Sequence, residues 1–203
     1  MVKARHFDRV AKAYDALTKL LLLGTYDRIR KKILSLPLNS QKLVLDLCTG
    51  TGYLIKEMHA ENIIGLDLSM GMLAVNKEKH KNKKNLQLMR GDAFYLPFKN
   101  NAFDAVYWSL GSHEFMKIKP ILREVHRVLK SRGSFVLFDI FDPGFLPSKF
   151  FVNIIVKYAA ELGHMKVYSE SGWKELLKEV GFEGDRIRTE VLYKTSILIK
   201  ADK

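Results

Sequence analysis

"LDLCTGTGYL", Leu45 to Leu54, sets an acid, a cysteine and two glycines two residues apart at the end of an apolar run. Glycine-rich turns after a strand serve several cofactors, so the residues beside these glycines decide what the fold is built to hold. The strand ends at Asp46 and a helix is expected from about Gly52 to His59. Gly50 and Gly52 then lie where a chain leaving a sheet turns into a helix N-terminus, the place where ligands dock in open α/β sheets. A P-loop needs a lysine and then Ser or Thr after its second glycine, whereas Tyr53 and Leu54 follow Gly52, which excludes it. A dinucleotide fingerprint needs glycine at its first, third and sixth positions. Counted from Cys48 these are Cys48, Gly50 and Tyr53, and the bulk of Tyr53 argues against it. What remains is an acid at a strand end and two glycines that admit a small ligand.

From Lys42 onward, short apolar runs alternate with helix-length amphipathic segments, the pattern of βαβ units and a parallel sheet. Strands are expected at Leu43–Asp46, Asn62–Asp67, Leu86–Arg90, Phe103–Trp108 and Ser134–Phe138. Helices are expected at Met70–Lys79 and Ile118–Leu129, the latter stopping at Gly133. Two helices, separated near Gly24, are expected before the sheet. After Phe138 an apolar segment, "FFVNIIVKYAAEL", reads as a lid, and "SGWKELLKEV" as a helix capped by Ser171 and stopped by Gly181. The last residues read as two strands with a turn near Leu192. The whole is an α/β, Rossmann-like, doubly wound sheet of seven strands, mostly parallel, with N-terminal helices and a C-terminal antiparallel hairpin. One domain is expected over 1–203, divided into a helical cap (1–41), a cofactor-binding core (42–140), a lid (141–168) and a final helix and hairpin (169–203).

Three acids close successive strands. Asp46 is placed to accept a donor, Asp67 can take both hydroxyls of an unphosphorylated ribose, and Asp92 in "GDAFYLPF" can accept from an adenine amino group. Together they describe an adenosine pocket without a phosphate site.

On these segments the chain resembles the class I S-adenosylmethionine-dependent methyltransferases. "VLDLCTGTG" resembles the family's first motif, "GLDLSMGML" its ribose-binding acid segment, "GDAFYLPFKNNAFDAVYWS" its adenine segment and fourth strand, and "ILREVHRVLKSRGSFVLFD" the helix and fifth strand. "FDRVAKAYD" is similar to the opening of the ubiquinone/menaquinone biosynthesis methyltransferases. The resemblance implies S-adenosylmethionine as cofactor and S-adenosylhomocysteine as product. It implies Gly50 and Gly52 at the methionine portion, Asp67 at the ribose, Leu68 and Met72 at the adenine faces, and Asp92 with Ala93 at its edge, with Asp46, Thr49 and Ser109 as further cofactor-binding positions; Tyr14 either closes over the cofactor or packs, and core packing is the alternative for Met72. Two departures stand out: Cys48 where most members have glycine, and Ser131–Arg132 in the turn before the fifth strand.

Methyl transfer from a sulfonium asks for positioning and water exclusion, which supply roughly 7–11 kcal/mol in favourable cases. For a phenolic or acidic-carbon acceptor a base is useful, and "WSLGSHEF" places His113 at the end of the fourth strand as the candidate. The six histidines show no ligand spacing, and no metal is expected.

The formal charge of +12 raises nucleic acid or an anionic membrane as partner. Much of it sits in "NKEKHKNKK", read as the solvated end of a helix, and no Asn/Asp-Pro-Pro-aromatic turn follows the fourth strand, which argues against nucleic acid. The expected partner is a small, hydrophobic or aromatic methyl acceptor resembling a quinone precursor or a lipid. An RNA or protein methyltransferase and a non-catalytic cofactor-binding protein stay open as alternatives. So do peripheral membrane contact through the lid and assembly into a homo-oligomer. One cysteine and no apolar leader read as a cytoplasmic protein.

Overall fold

The computed structural model describes residues 2–21, 25–38, 41–140, 166–192 and 196–203. Its elements run α1 (Val2–Val10), α2 (Tyr14–Leu21), α3 (Tyr26–Leu34), β1 (Leu43–Leu47), β2 (Asn62–Asp67), α4 (Met70–Lys79), β3 (Leu86–Arg90), β4 (Phe103–Ser109), α5 (Lys119–Val128), β5 (Leu129–Ile140), α6 (Glu170–Glu179), β6 (Ile187–Leu192) and β7 (Ser196–Asp202). The strands form one sheet in the order β3-β2-β1-β4-β5-β7-β6. β1 to β5 pair in parallel, and β7 runs antiparallel between β5 and β6. The strand order reverses between β1 and β4, so the crevice for a ligand opens at the C-terminal ends of these two strands.

The central strands are apolar along their length because both faces are covered. Successive side chains point to opposite faces: Val106, Trp108, Phe135 and Leu137 pack with Ile121, Leu122 and Val125 of α5 and Trp173 and Leu177 of α6. Ala105, Tyr107, Val136 and Phe138 pack with Ile29 and Ile33 of α3 and with Leu54 and Ile55.

Four local expectations are corrected. No helix spans Gly52–His59; turns lead into a single 3-10 turn at Ile55–Glu57. Gly52 has φ +85°, which a right-handed helix cannot contain, and residues 51 to 55 are all buried, so no solvent face exists for an amphipathic helix. Three helices, not two, precede the sheet, because the chain breaks at residues 11–13 between two anchored ends. Asp8 Oδ1 accepts from Ser69 Oγ at 2.6 Å and Gly71 N at 2.7 Å, while Asp15 accepts from Thr51 Oγ1 and Lys79 Nζ. α5 ends at Val128, and β5 begins at once with Leu129 paired to Phe103. Gly133 therefore lies inside the strand, where its carbonyl accepts from Lys203 N while Arg132 N donates to Lys203 O. The cap of α6 is Ser169, whose Oγ accepts from Gly172 N at 3.2 Å; Ser171 sits in the first turn. Gly181, at φ +111°, does follow the end of α6. The lid expectation falls, through residue 165, outside the described residues.

Candidate active site at the switch point

The turn after β1 is left-handed three times, at Cys48 (φ +53°), Gly50 (+52°) and Gly52 (+85°). A side chain at such a position costs about 1–2 kcal/mol, and Cys48 bears that cost where a glycine would not. Its thiol is buried and pushed well above the usual range by that burial, with Asp67 and Asp46 adding to it. The two glycines differ in why they are glycines. A Cβ on Gly52 would stand 2.6 Å from both Asn76 Oδ1 and His80 Cε1 of α4, whereas a Cβ on Gly50 would meet only Cys48 O at 4.0 Å. Gly52 lets the turn pack against α4, and Gly50 leaves an open cradle above the turn.

Asn76, grouped in the sequence with a solvated run, is fully buried. Its Nδ2 donates to Thr49 Oγ1 and to Gly50 O, each at 3.2 Å, and so fixes the turn from below. Nothing in "NKEKHKNKK" marks its first residue as different from the rest.

Asp67 ends β2 with both oxygens tethered: Gly50 N donates to Oδ2 and Ser69 N to Oδ1, each at 2.8 Å. Burial raises its pKa, opposed by these backbone donors. Each oxygen keeps a second lone pair for a ligand hydroxyl. Leu68 next to it is 38% exposed. Met72, one turn into α4, is buried and donates its N–H to Ser69 Oγ. Asp92 follows β3 and accepts from Phe94 N at 3.0 Å, with Ala93 buried behind it.

Asp46 is buried on the α3 face beside Tyr107 and accepts from Thr49 Oγ1. Burial pushes its carboxyl up to about 7, against the Thr49 hydrogen bond and with the Asp67 charge adding to it. Between the ordinary value of 3.8 and about 7, the folded protein keeps a proton that the unfolded chain has released. Stability attributable to Asp46 therefore falls as pH rises through that window. In Asp46→Asn, which mimics the protonated acid, the loss of unfolding free energy between pH 5 and pH 8 should shrink by roughly 3 kcal/mol, read from urea denaturation at both pH values. An equal pH dependence in both proteins would show that Asp46 ionises normally.

On the far side of the crevice, Ser109 ends β4 and a 3-10 turn follows at Ser112–Glu114. Gly111 presses this turn against the first one: a Cβ there would lie 2.8 Å from Trp108 Nε1 and 3.3 Å from Cys48 Cβ. His113 Nδ1 is 2.5 Å from Asp139 Oδ1 and Nε2 is 3.5 Å from Glu114 Oε1. Asp139, at the end of β5, was not singled out in the sequence, where a lone acid after "SFVLF" has no local pattern. Tyr14 opens α2; burial pushes its hydroxyl up, and the charges of Glu114, Asp139 and Asp67 add to that. Gly50 is hydrogen-bonded to Asp67 and Thr49 to Asp46 and Asn76 at the turn after β1, while Ser109 and His113 follow β4, on the other side of the switch-point crevice. Met72 and Gly52 lie behind it, in packed surroundings.

A family model described as "Methyltransferase domain" matches residues 45–137. The core of the chain is a methyltransferase domain. A demethylmenaquinone methyltransferase of Thermotoga maritima is 39% identical over 146 residues, 68% of this chain and 62% of that protein. The chain spans about three-fifths of the length of the curated relatives it matches. An S-adenosylmethionine-dependent methyltransferase structure from Thermotoga maritima superposes with TM-score 0.76 at 17% identity, covering 100% of both chains. Phosphoethanolamine N-methyltransferase 2 of Haemonchus contortus, solved with S-adenosylhomocysteine, gives 0.72 at 17% identity over 87% of this chain and 52% of that one. These solved structures share the Rossmann-like fold of this chain. The residues present fit S-adenosylmethionine: Gly50 leaves open space where a Cβ would stand, and Asp67 is a tethered carboxylate with lone pairs left for ribose hydroxyls. Among the described residues no helix is long and apolar enough to cross a membrane.

Proposed function

We propose that this cytoplasmic protein transfers a methyl group from S-adenosylmethionine to a ring carbon of a reduced, prenylated naphthoquinone-type acceptor. The relatives named demethylmenaquinone methyltransferase supply the acceptor class. The observation that carries the chemistry is the His113 imidazole, seated on a buried carboxylate across the crevice from the glycine turn. The bound cofactor supplies an electrophilic methyl carbon. Asp67 accepts from the ribose hydroxyls, Gly50 gives the methionine portion passage over the turn, and Leu68, Met72, Asp92 and Ala93 surround the adenine. Asp46 and Thr49 brace the turn. Removing the proton from a phenolic hydroxyl makes the neighbouring ring carbon nucleophilic, and His113 takes that proton; once the methyl is attached, that carbon's own hydrogen leaves as a proton and the oxygen is reprotonated, which restores the aromatic ring. Tyr14 and Ser109 close the crevice against water, where a carbon nucleophile and a methyl donor meet without hydrolysis.

The test has two parts. Calorimetric titration with S-adenosylmethionine and S-adenosylhomocysteine, with NADH as control, reads the cofactor. Methyl-labelled S-adenosylmethionine with a short-chain prenyl-naphthoquinol reads the acceptor, with label expected in the organic extract. Saturable binding with no label transferred to the quinol would overturn the acceptor class. Failure to bind either sulfur compound would leave a fold without the activity.

A further inference from the structure

We propose that Asp139 is a positioning residue, which holds His113 with the proton on Nδ1 so that Nε2 is the nitrogen that receives the acceptor's proton. The proposal rests on His113 acting as the base, yet the proton arrangement it assigns belongs to the free protein and is read without any acceptor.

Asp139 has no exposed surface and five donors converge on it. Oδ2 accepts from Ser112 N at 2.6 Å, Ser112 Oγ at 2.5 Å and His113 N at 3.3 Å. Oδ1 accepts from Ile140 N at 2.7 Å and faces His113 Nδ1 at 2.5 Å. Burial raises the carboxyl, but His113 and the Ser112 and Ile140 donors outweigh it and hold Asp139 below the ordinary range. An ionised carboxylate only accepts, so the ring nitrogen facing it must donate. Neutral imidazole carries one N–H; placed at Nδ1, it leaves Nε2 as the basic nitrogen. Among the described residues, the ring nitrogens face Asp139 from β5 and Glu114 from the ring's own turn, and both of these carboxylates also act on Tyr14 of α2. Once Nε2 takes a proton, Asp139 and Glu114 flank the imidazolium, so the site favours the product of proton transfer as well as the geometry for it. The carboxylate touches no reacting atom and acts only through His113.

The pattern of donors also dictates what asparagine does here. With its carbonyl at the Oδ1 position, its amide would face the N–H groups of Ser112 and His113, donor against donor twice. With its carbonyl at the Oδ2 position, only Ile140 N loses its acceptor, and the amide then donates to His113 Nδ1. The second arrangement is the better one, and it drives the proton to Nε2.

Protein labelled with 15N-histidine, with the His113 signals assigned by their loss in His113→Gln, reads the proton directly. The expected spectrum has Nδ1 protonated in the wild type and Nε2 protonated in Asp139→Asn. Turnover of the prenyl-naphthoquinol falls by about 10²–10⁴-fold in Asp139→Asn, while S-adenosylhomocysteine affinity stays within about two-fold, a change too small to register as lost binding energy. A wild-type spectrum with the proton on Nε2 overturns the proposal, and so does Asp139→Asn with Nδ1 still protonated or with full turnover. Should Asp139→Asn fail to fold, the wild-type spectrum alone decides. Should the wild type leave the quinol unmethylated, the acceptor assignment fails while the proton on His113 is still read.

Discussion

Asp67→Ala is expected to weaken S-adenosylmethionine binding by about 10²–10⁴-fold in calorimetric titration. Two ribose hydroxyls donating to one carboxylate are each worth about 1.5–3 kcal/mol, and this carboxylate is already fixed in place by Gly50 N and Ser69 N at 2.8 Å each. Removing it also strips both backbone N–H groups of their acceptor, so the glycine turn loses its tie to the end of β2. Asp67→Asn, which keeps one acceptor oxygen and loses the charge, should fall between wild type and alanine. Unchanged affinity in Asp67→Ala would place the ribose elsewhere.

Gly52→Ala is expected to be the most destabilising small substitution in the site, with an effect of opposite kind from Gly50→Ala. At Gly52 the left-handed backbone costs about 1–2 kcal/mol. The added methyl also lands 2.6 Å from Asn76 Oδ1 and His80 Cε1, and overpacking adds about 1–3 kcal/mol. For a chain of this size the sum corresponds to a fall in melting temperature of about 5–20 °C. At Gly50 only the backbone cost applies, because the methyl meets nothing of the chain closer than 4.0 Å. It stands instead where the ligand must pass, so Gly50→Ala should melt within a few degrees of wild type, about 2–8 °C lower, and lose most of its cofactor affinity. Equal melting temperatures for the two variants would show that α4 yields to the methyl at position 52.

The centre of the sheet was legible because β1, β4 and the second half of β5 are buried on both faces and read as apolar runs. Leu43, Asn62, Leu86 and Phe103 begin their strands where the sequence placed them. The segment after the glycine turn was misread because Tyr53, Leu54 and Ile55 look like the start of a helix. Only the packing of α4 on Gly52 reveals that the backbone there must be left-handed. The break between α1 and α2 falls on Ala11, Lys12 and Ala13, all good helix formers, and arises from the separate attachments of Asp8 and Asp15 to elements more than thirty residues away. Asp139 and Asn76 escaped notice for the same reason: their partners, Ser112, His113, Thr49 and Gly50, are brought to them by the sheet, and no spacing along the chain records it.

The attachments of α1 and α2 bear on the timing of catalysis. α1 is held through Asp8 on Ser69 and Gly71, and α2, which opens at Tyr14, through Asp15 on Thr51 and Lys79. Under the proposed function these contacts tie down the helices beside the nucleoside, so loosening them should speed release of the spent cofactor. The Asp15–Lys79 pair is about one-third exposed on each side and is weakened by salt. Moderate ionic strength should therefore hasten product escape while leaving the chemical step alone.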